Sequence, residues 1–361
     1  MQETISVAIA GFGLVGRRHA KAIAQVPGVD LWGVIEPEET ARHAASALGL
    51  RVCESLDACF AIGGADAFIL ATPNDVHAHQ ALACIDHGRP VLVEKPLATR
   101  SSDAEPVVVA GECRGVPVLV GHHRRYNPLI ERAKAVIAAG RIGTVRAVQA
   151  TCWLYKPDAY FDAADWRKAP GAGPVAVNLV HDVDLIRFLC GEVSAVQAVA
   201  HPSARGYANE DVSAALLELA DGAICTISVS DSIVAPWSWE LTAREHPVYP
   251  PTSESCYLIG GSEGGLSIPD LRLWHYGEGA RDWWAPISAT TLMRETTDPL
   301  VRQIAHFAAV IRGEAAPVVS GREGLQTLRV IEAIQASART GARLSMRPEP
   351  ERAASAPSEN V

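Results

Sequence analysis

A lysine ends a short apolar run in the first third of the chain, Val91-Leu92-Val93-Glu94-Lys95-Pro96. The run is typical of a buried strand, and the proline fixes the chain where the strand ends. Burial lowers the pKa of an amine toward neutrality, which suits Lys95 for steadying negative charge on an oxygen or for transferring a proton. Glu94 stands where it can orient the amine. We therefore predict that Lys95 is a catalytic residue.

A glycine-rich loop precedes this lysine and indicates a nucleotide. The segment Gly11-Phe12-Gly13-Leu14-Val15-Gly16 has the pattern G-x-G-x-x-G and follows the apolar run Val7-Ala8-Ile9-Ala10. In a strand–loop–helix unit, the glycines permit a tight turn, close approach of a pyrophosphate, and close packing of the helix on the strand. The helix that follows offers free amides to phosphate. Glycines also close ordinary turns, so the pattern needs support from other residues.

That support comes from an acidic residue at the end of the next apolar run. Glu36 follows Gly16 at the spacing at which a carboxylate accepts a hydrogen bond from the ribose 2′-hydroxyl of NAD. The same carboxylate would repel the 2′-phosphate of NADP. Arg17 and Arg18 lie nearby on the first helix and keep NADP open as an alternative. The sequence predicts NAD in preference to NADP.

A polar loop follows another apolar strand. Thr72, Pro73 and Asn74 form this loop, and His77 opens the helix that comes next. Ligands of open α/β sheets bind outside the carboxyl ends of the strands, where the loop and the lysine are both expected. We predict that these four residues, together with Glu94 and the lysine beside it, contact the cofactor.

Such an arrangement requires a parallel sheet in the first half of the chain. Strands are predicted at 6–11, 30–36, 67–71, 90–95 and 117–122, and helices at 15–26, 38–48, 76–87 and 102–114. Alternation of helices with almost continuously apolar strands is typical of a doubly wound α/β fold. We assign residues 1–124 to a nucleotide-binding domain.

The pattern changes after Pro128 to alternating apolar and polar residues. Strands are predicted at 145–154, 194–200, 211–219, 223–230, 239–243, 256–260 and 271–276, and helices at 128–139, 298–312 and 321–340. Asp221-Gly222 is a hairpin signal. We predict an α/β domain over 125–345 with a large, mostly antiparallel open sheet, one face of which is free for a partner. Residues 346–361, rich in Pro, Ala, Ser and Glu, are predicted to be a disordered tail.

Composition excludes several classes of protein. A chain of 361 residues can hold two domains, and its net charge of -9 argues against a nucleic-acid binder. No apolar stretch is long enough to span a membrane, and the polar start argues against a secretory signal. The eight cysteines include no C-x-x-C pair, so we expect reduced thiols, a cytoplasmic protein and no metal site.

The segment that joins the two halves is rich in hydrogen-bond donors. In Gly121-His122-His123-Arg124-Arg125-Tyr126-Asn127-Pro128, either arginine is suited to an anionic group and the tyrosine to a pocket wall. We predict that Arg124 and Tyr126 contact the substrate. A polar hinge with its arginines in salt bridges is the alternative.

Several of these motifs occur together and in one order. The glycine loop, Thr72-Pro73-Asn74 and Glu94-Lys95-Pro96 precede Gly171-Ala172-Gly173-Pro174 and His181-Asp182-Val183-Asp184. In this combination the chain, from about residue 4 to 342, resembles the Gfo/Idh/MocA oxidoreductases, which include glucose–fructose oxidoreductase, inositol dehydrogenases and dihydrodiol dehydrogenases. The resemblance implies an N-terminal Rossmann domain, nicotinamide-dependent hydride transfer, and homodimers or homotetramers formed through the open sheet of the C-terminal domain.

The resemblance also assigns roles to individual residues. Lys95 matches the family's lysine between nicotinamide and substrate, His181 its helix-borne histidine, and Trp166-Arg167 a pair that often lines the cofactor pocket. Asn178 shares a helix face with His181, so we predict that both contact the substrate. We assign His181 as general acid or base and Lys95 as the group that polarises the substrate oxygen, although the two roles are exchangeable.

One departure from the family pattern bears on the substrate. Many sugar and cyclitol dehydrogenases of the family carry an aspartate where this chain has Val177, four residues before His181. We predict NAD-dependent oxidation of a secondary alcohol, or reduction of the ketone, in a sugar, sugar acid or cyclitol. The apolar valine and the many tryptophans also admit a cis-dihydrodiol on an aromatic-derived ring. An NAD-retaining glycoside hydrolase and a nucleotide sensor without turnover are two further functions that the same motifs admit.

Overall fold

The computed structural model describes residues 3–277 and 281–346. The predicted tail therefore lies outside the described residues beyond Met346. Within the described ranges, the strands form two sheets, which occupy the two halves of the chain. The predicted α/β fold class is confirmed.

The first sheet has six parallel strands with helices on both faces, and its strands are buried almost throughout because neither face is open to water. Its elements, in chain order, are β1 (Ile5–Ala10), α1 (Leu14–Ile23), β2 (Val29–Ile35), α2 (Glu39–Ala47), β3 (Val52–Cys53), α3 (Leu56–Ile62), β4 (Ala67–Leu70), α4 (His77–Asp86), β5 (Val91–Val93), α5 (Ser101–Arg114) and β6 (Val118–Val120). The strand order is β3-β2-β1-β4-β5-β6, which is that of a Rossmann fold.

The second sheet has nine strands in the described residues and leaves one face uncovered. Its region contains α6 (Pro128–Ala138), β7 (Val145–Trp153), α7 (Asp158–Asp162), α8 (Val180–Cys190), β8 (Val193–Pro202), β9 (Glu210–Leu219), β10 (Ile224–Ser230), α9 (Trp239–Thr242), β11 (Tyr257–Gly261), β12 (Gly264–Ile268), β13 (Arg272–His275), β14 (Ser288–Thr291), α10 (Pro299–Ile311), α11 (Gly321–Thr340) and β15 (Leu344–Ser345). The order is β14-β13-β12-β11-β7-β10-β9-β8-β15, antiparallel except for the parallel pair of β7 with β10.

Residues along β9 alternate between the two faces of this sheet. Ala215 and Leu217 are buried on the covered face, whereas Leu216 between them is exposed. The hairpin predicted at Asp221-Gly222 joins β9 to β10, with Gly222 at a φ of 85° that suits glycine. The sheet therefore has the predicted covered face and open face.

The last two helices return to the first domain. Leu300, Ile304 and Phe307 of α10 belong to the same buried cluster as residues of β1 and α1. Leu325 of α11 packs in the cluster on the other side of that sheet. The boundary that we propose at 124/125 thus separates the two sheets, but the core of the first domain includes side chains from the C-terminal helices.

Some predicted elements were wrong or incomplete. The strand expected at 239–243 is the short helix α9, which Ser238 caps by accepting a hydrogen bond from the amide of Leu241. Trp239 is buried in this helix. The short elements β3, α3, α7, β12, β14 and β15 were not predicted. Their length gives too few residues for a periodic signal.

Candidate active site

The glycine loop forms an open cradle at the carboxyl end of β1. Gly11 has a φ of 84°, and a Cβ there would lie 2.6 Å from the carbonyl oxygen of Ala71. A Cβ on Gly16 would lie 2.0 Å from the oxygen of Gly11, so both glycines are required sterically. At Gly13, by contrast, a Cβ would meet no atom within 4 Å. The loop is tight on its protein side and open on the other.

The start of α1 is free to bind an anion. No side chain caps this helix and its first turn contains no acidic residue. Its first amides are therefore available, and the positive end of the helix dipole faces the cradle. Leu14 is 82% exposed and Val15 is 40% exposed beside these amides, whereas Phe12 is buried. An exposed leucine at this position fits a surface that a ligand covers.

Glu36 lies directly beyond β2, next to the glycine loop. Its Oε2 accepts a hydrogen bond of 2.9 Å from the amide of Phe12. Its second carboxylate oxygen accepts from no residue that the structure describes, so it is available to a ribose hydroxyl. The geometry brings Glu36 to the cradle, where the sequence places it.

The loop after β4 is divided between the surface and the interior. Pro73 and Asn74 are exposed at the sheet edge, while the hydroxyl of Thr72 donates to Oε1 of Gln80 at 2.6 Å. The His77 ring is fully buried, with one nitrogen 2.9 Å from the carbonyl oxygen of Thr72 and the other 2.8 Å from that of Pro96. His77 thus ties the loop to the segment after Lys95 and lies beneath the open edge.

The segment after β5 carries a buried charge pair beside the lysine. Oε1 of Glu94 lies 2.6 Å from Nε2 of His19, whose side chain is completely buried in α1. Burial alone would raise the pKa of Glu94, but the hydrogen bond and charge of His19, aided by His123 and Lys95, lower it to about 2. Glu94 is therefore an anion fixed at one end by His19, and its Oε2 accepts from the amide of Lys95 at 3.2 Å.

Lys95 joins the two domains. Its Nζ donates to the carbonyl oxygen of Val177 in the C-terminal domain at 3.3 Å. Burial lowers the pKa of Lys95 to about 8, while the negative charge of Glu94 opposes that shift. The ammonium is thus only weakly favoured over the free amine near neutral pH.

Val177 belongs to a π-helical turn, Val175–Leu179, that leads into α8. Such turns widen a helix locally and are frequent at functional sites. His181 follows in the first turn of α8 and is buried, with its ring centroid 5.6 Å from that of His123. Burial, together with the charges of Lys95 and Arg124, keeps the pKa of His181 well below its usual value. His181 is therefore neutral at pH 7 and can accept a proton.

A second lysine reaches the same turn from the end of β7. Nζ of Lys156 donates to Oδ1 of Asn178 at 2.6 Å and lies 3.6 Å from a carboxylate oxygen of Asp231. Its side chain is buried, and burial lowers its pKa. Lys156 was not predicted from the sequence. A signal was present, because Lys156-Pro157, like Lys95-Pro96, places a lysine before a proline where a strand ends.

The predicted residues of the interdomain segment lie deeper than expected. Arg124 is buried, with Nη2 bonded to Oε1 of Glu240 at 2.7 Å and the guanidinium 5.5 Å from the ring of Trp239. Tyr126 is buried in the core of the first domain, 5.3 Å from the ring of His306. Arg124 affects the site through its charge, and the structure gives Tyr126 no place in the pocket wall.

The neighbouring Arg125 fits the alternative that the sequence allowed, a polar hinge with its arginines in salt bridges. Arg125 makes two hydrogen bonds to Asp184, of 2.9 and 2.8 Å, and one of 2.8 Å to Glu323. The charge of Arg125 is thus used to hold the interdomain segment to α8 and α11.

Trp166 and Arg167 have different surroundings. Trp166 is 57% exposed. The guanidinium of Arg167 lies 4.2 Å from the ring centroid of Tyr160 and donates to the carbonyl oxygen of that residue at 2.6 Å. Trp166 is accessible to a ligand, whereas Arg167 holds its own loop together.

Two family descriptions match the two domains. "Oxidoreductase family, NAD-binding Rossmann fold" matches residues 5–122, and "GFO/IDH/MocA C-terminal domain" matches residues 130–267. The chain belongs to the Gfo/Idh/MocA oxidoreductase family. The family and the reaction class predicted from the motifs are confirmed.

Relatives of this oxidoreductase are named for different compounds. The 4-carboxy-2-hydroxymuconate-6-semialdehyde dehydrogenase of Sphingobium sp. is 31% identical over 242 residues, which are 62% of this chain and 71% of the relative. The inositol 2-dehydrogenase of Rhizobium meliloti is 27% identical over 337 residues, 91% of this chain and 96% of the relative. For some further inositol 2-dehydrogenases, the match covers 58% to 66% of the relative's length.

A solved structure shares the whole architecture of the oxidoreductase. The WlbA dehydrogenase from Bordetella pertussis, in complex with NADH and UDP-GlcNAcA, has a TM-score of 0.77 and 30% identity. The alignment covers 96% of this chain and 100% of that one.

The residues at the edge of the first sheet fit NAD. The open side of the glycine loop and the uncapped amides of α1 would hold the pyrophosphate, and the free oxygen of Glu36 would hold a ribose. In residues 3–277 and 281–346 no group of three or more His, Cys, Asp or Glu is arranged to hold a metal ion. No described helix has the length and apolar character needed to cross a bilayer. The eight cysteines are free, and only Cys113 is exposed.

Proposed function

We propose that this oxidoreductase is an NAD-dependent dehydrogenase that oxidises a secondary alcohol of a sugar, sugar acid or cyclitol, or reduces the ketone. The observation that carries the proposal is a contact between the two domains beside the predicted catalytic residues. Lys95, beside the cofactor edge of the first sheet, contacts the π turn of the second domain at 3.3 Å, and His181 lies one helical turn further on. A substrate bound there has a proton acceptor and a positive charge beside it.

The protein's own residues account for the proton and the charge. His181 is neutral and accepts the hydroxyl proton, while the Lys95 ammonium stabilises the negative charge that develops on the substrate oxygen. NAD, when bound, would supply the chemistry that the side chains lack, namely an acceptor for the hydride of the carbinol carbon. One C–H and one O–H bond break and a C=O bond forms, so two electrons leave with the hydride and the proton goes to His181.

Three observations bear on the choice of cofactor and substrate. The carboxylate of Glu36 beside the glycine loop supports NAD over NADP. The relatives named for inositol, D-apiose and 1,5-anhydro-D-fructose support a polyol or a sugar. The apolar side chain of Val177 and the exposed Trp166 support a ring-diol as a second candidate.

A screen of polyols, sugar acids and dihydrodiols with NAD and NADP tests the proposal. We expect NADH to accumulate in proportion to substrate consumed for at least one compound. Conversion of a glycoside without accumulation of NADH would instead identify an NAD-retaining hydrolase. Tight NADH binding with no turnover of any compound class would support a sensor and contradict the proposal.

We infer that the protein forms a homodimer or homotetramer through the open face of its second sheet. Val199, Leu216, Ile224 and Leu258 are exposed apolar side chains on its strands. Such a face is typical of an interface. Leu216→Glu should yield monomers in analytical ultracentrifugation, whereas the control Val109→Glu, at an exposed position of α5, should leave the oligomer intact. A wild-type protein that sediments as a monomer would contradict the inference.

A further inference from the structure

The hydrogen bond between Lys156 and Asn178 determines which way the Asn178 amide faces. An ammonium has donors only, so the side-chain atom that it contacts at 2.6 Å must be the amide oxygen. The Nδ2 group of Asn178, with two N–H donors, is therefore directed away from Lys156. No described residue accepts from this group, and Asn178 is half-buried at the π turn that Lys95 contacts.

Among the described residues, several acceptors at this turn already have partners. Val177 has an apolar side chain, and its carbonyl oxygen already accepts from Lys95. Of the carboxylates near this turn, Glu210 accepts a hydrogen bond from the amide of Val175 at 3.2 Å, and two others have arginine partners. Asp231 lies 3.1 Å from Arg205, and Glu240 lies 2.7 Å from Arg124.

A wall that offers mainly hydrogen-bond donors favours a carboxylate of the substrate over a hydroxyl. A hydroxyl beside the reacting carbon needs an acceptor for its own proton, whereas a carboxylate only accepts hydrogen bonds. Hydrogen bonds between an ammonium and a carboxylate are also stronger than those between neutral groups. The donors at this wall, Asn178 Nδ2 and the lysine ammoniums, match a carboxylate.

We propose that Lys156 and Asn178 form a carboxylate subsite, so that the substrate is a hydroxy acid with its carboxylate close to the carbon that is oxidised. The proposal rests on the dehydrogenase function above and narrows its substrate class. Lys156 acts in two ways, because it orients the Asn178 amide and adds positive charge to the subsite. His181 and Lys95 remain on the reacting oxygen.

Matched pairs of probes test this subsite. Each pair consists of an acid and a neutral counterpart: D-gluconate with D-sorbitol, D-glucuronate with D-glucose, and L-tartrate with L-threitol. Binding to the enzyme–NADH complex is measured by NADH fluorescence, and KM and kcat are measured where turnover occurs. We expect the wild-type enzyme to bind at least one acid about tenfold or more tightly than its counterpart.

Three variants separate orientation from charge. Asn178→Asp replaces the amide donors with an acceptor of the same shape and should remove the preference for the acid. Lys156→Met should weaken acid binding about tenfold and leave the neutral probe unaffected, and Lys156→Arg should retain part of the preference. Lys134→Met is the matched control, because Lys134 also donates to a protein oxygen, that of Phe188 at 2.6 Å, but on α6.

Several results would overturn the proposal. Equal or tighter binding of the neutral probes would do so, as would equal losses for both members of a pair in Asn178→Asp and Lys156→Met. If NADH binds but no acid does, the subsite is wrong and the dehydrogenase function stands. If NADH itself does not bind to the wild-type protein, the proposed function fails first and the subsite with it.

Discussion

The cofactor side and the substrate side of the cleft are assembled in different ways. On the cofactor side, each group follows directly on a strand of the first sheet, as the glycine loop follows β1 and Lys95 follows β5. On the substrate side, Lys156 at the end of β7 meets Asn178 in a turn before α8. The first kind of site depends on local order along the chain, whereas the second depends on contacts between distant segments.

The two buried lysines show the consequence of this difference. The ammonium of Lys95 has Glu94 beside it, an anion that His19 fixes, and its pKa is about 8. Lys156 instead has Asp231 at 3.6 Å and an amide oxygen at 2.6 Å. The first arrangement leaves the pKa of a lysine close to neutral pH, so the side chain can exchange its proton, which suits catalysis. The second holds a positive charge in place and suits binding.

Replacing each lysine by methionine should give the largest contrast. Lys95→Met should reduce kcat by about 10²–10³-fold, because the charge on the substrate oxygen loses its stabilising donor. Lys156→Met should change mainly KM for an acidic substrate, by about tenfold. Rates measured over a range of substrate concentrations give kcat and KM for both variants, with NADH affinity as the control for folding. Equal effects of the two variants on kcat would contradict the distinction between a catalytic lysine on the cofactor side and a binding lysine on the substrate side.

On the cofactor side, we expect a substitution of Glu36 to change the preference for NAD over NADP. Glu36→Ala removes the carboxylate that lies beside the glycine loop, and the preference for NAD over NADP should fall by about tenfold. The ratio of kcat/KM for the two cofactors measures this preference. Glu38→Ala is the control, since Glu38 is exposed two residues further on and should leave the ratio unchanged. An unchanged ratio in Glu36→Ala would refute the role of this carboxylate.

The smallest effect concerns stability on the cofactor side. His19→Leu leaves the carboxylate of Glu94 without its buried partner and should lower the free energy of unfolding by about 1–3 kcal/mol. His79→Leu, at an exposed position of α4, should change it by less than about 0.5 kcal/mol. Urea denaturation of the two variants gives the comparison. Equal stabilities would show that His19 does not hold Glu94.

The same difference explains what the sequence predicts and what it does not. The glycine loop, Glu36 and Lys95 were found because each occupies a fixed position relative to a strand, and the sheet brings those positions to one edge. Lys156 was missed although it also precedes a proline where a strand ends, because nothing near it in the chain indicates its contact with Asn178. The partners of Arg124 and Arg125 could not be predicted, since Glu240, Asp184 and Glu323 come from distant segments.

The prediction of secondary structure was wrong at Trp239 for a related reason. Trp239 lies in an apolar and polar alternation that favours a strand, but the tertiary packing buries it in a helical turn beneath the guanidinium of Arg124. The C-terminal helix α10 was predicted as a helix, yet its period does not say against which sheet it packs. The hydrophobic periodicity of a helix shows which of its faces is apolar, but only the folded structure shows which element packs against that face.

The pH dependence of kcat/KM for alcohol oxidation tests the central claim most directly. The neutral form of His181 and the charged form of Lys95 are both required, so activity should rise through a pKa well below the usual value for histidine and fall through about 8. Because Glu94 raises the pKa of Lys95, Glu94→Gln should move the alkaline decline to lower pH. A wild-type profile without an alkaline decline, or a decline that Glu94→Gln leaves in place, would contradict the assignment of Lys95.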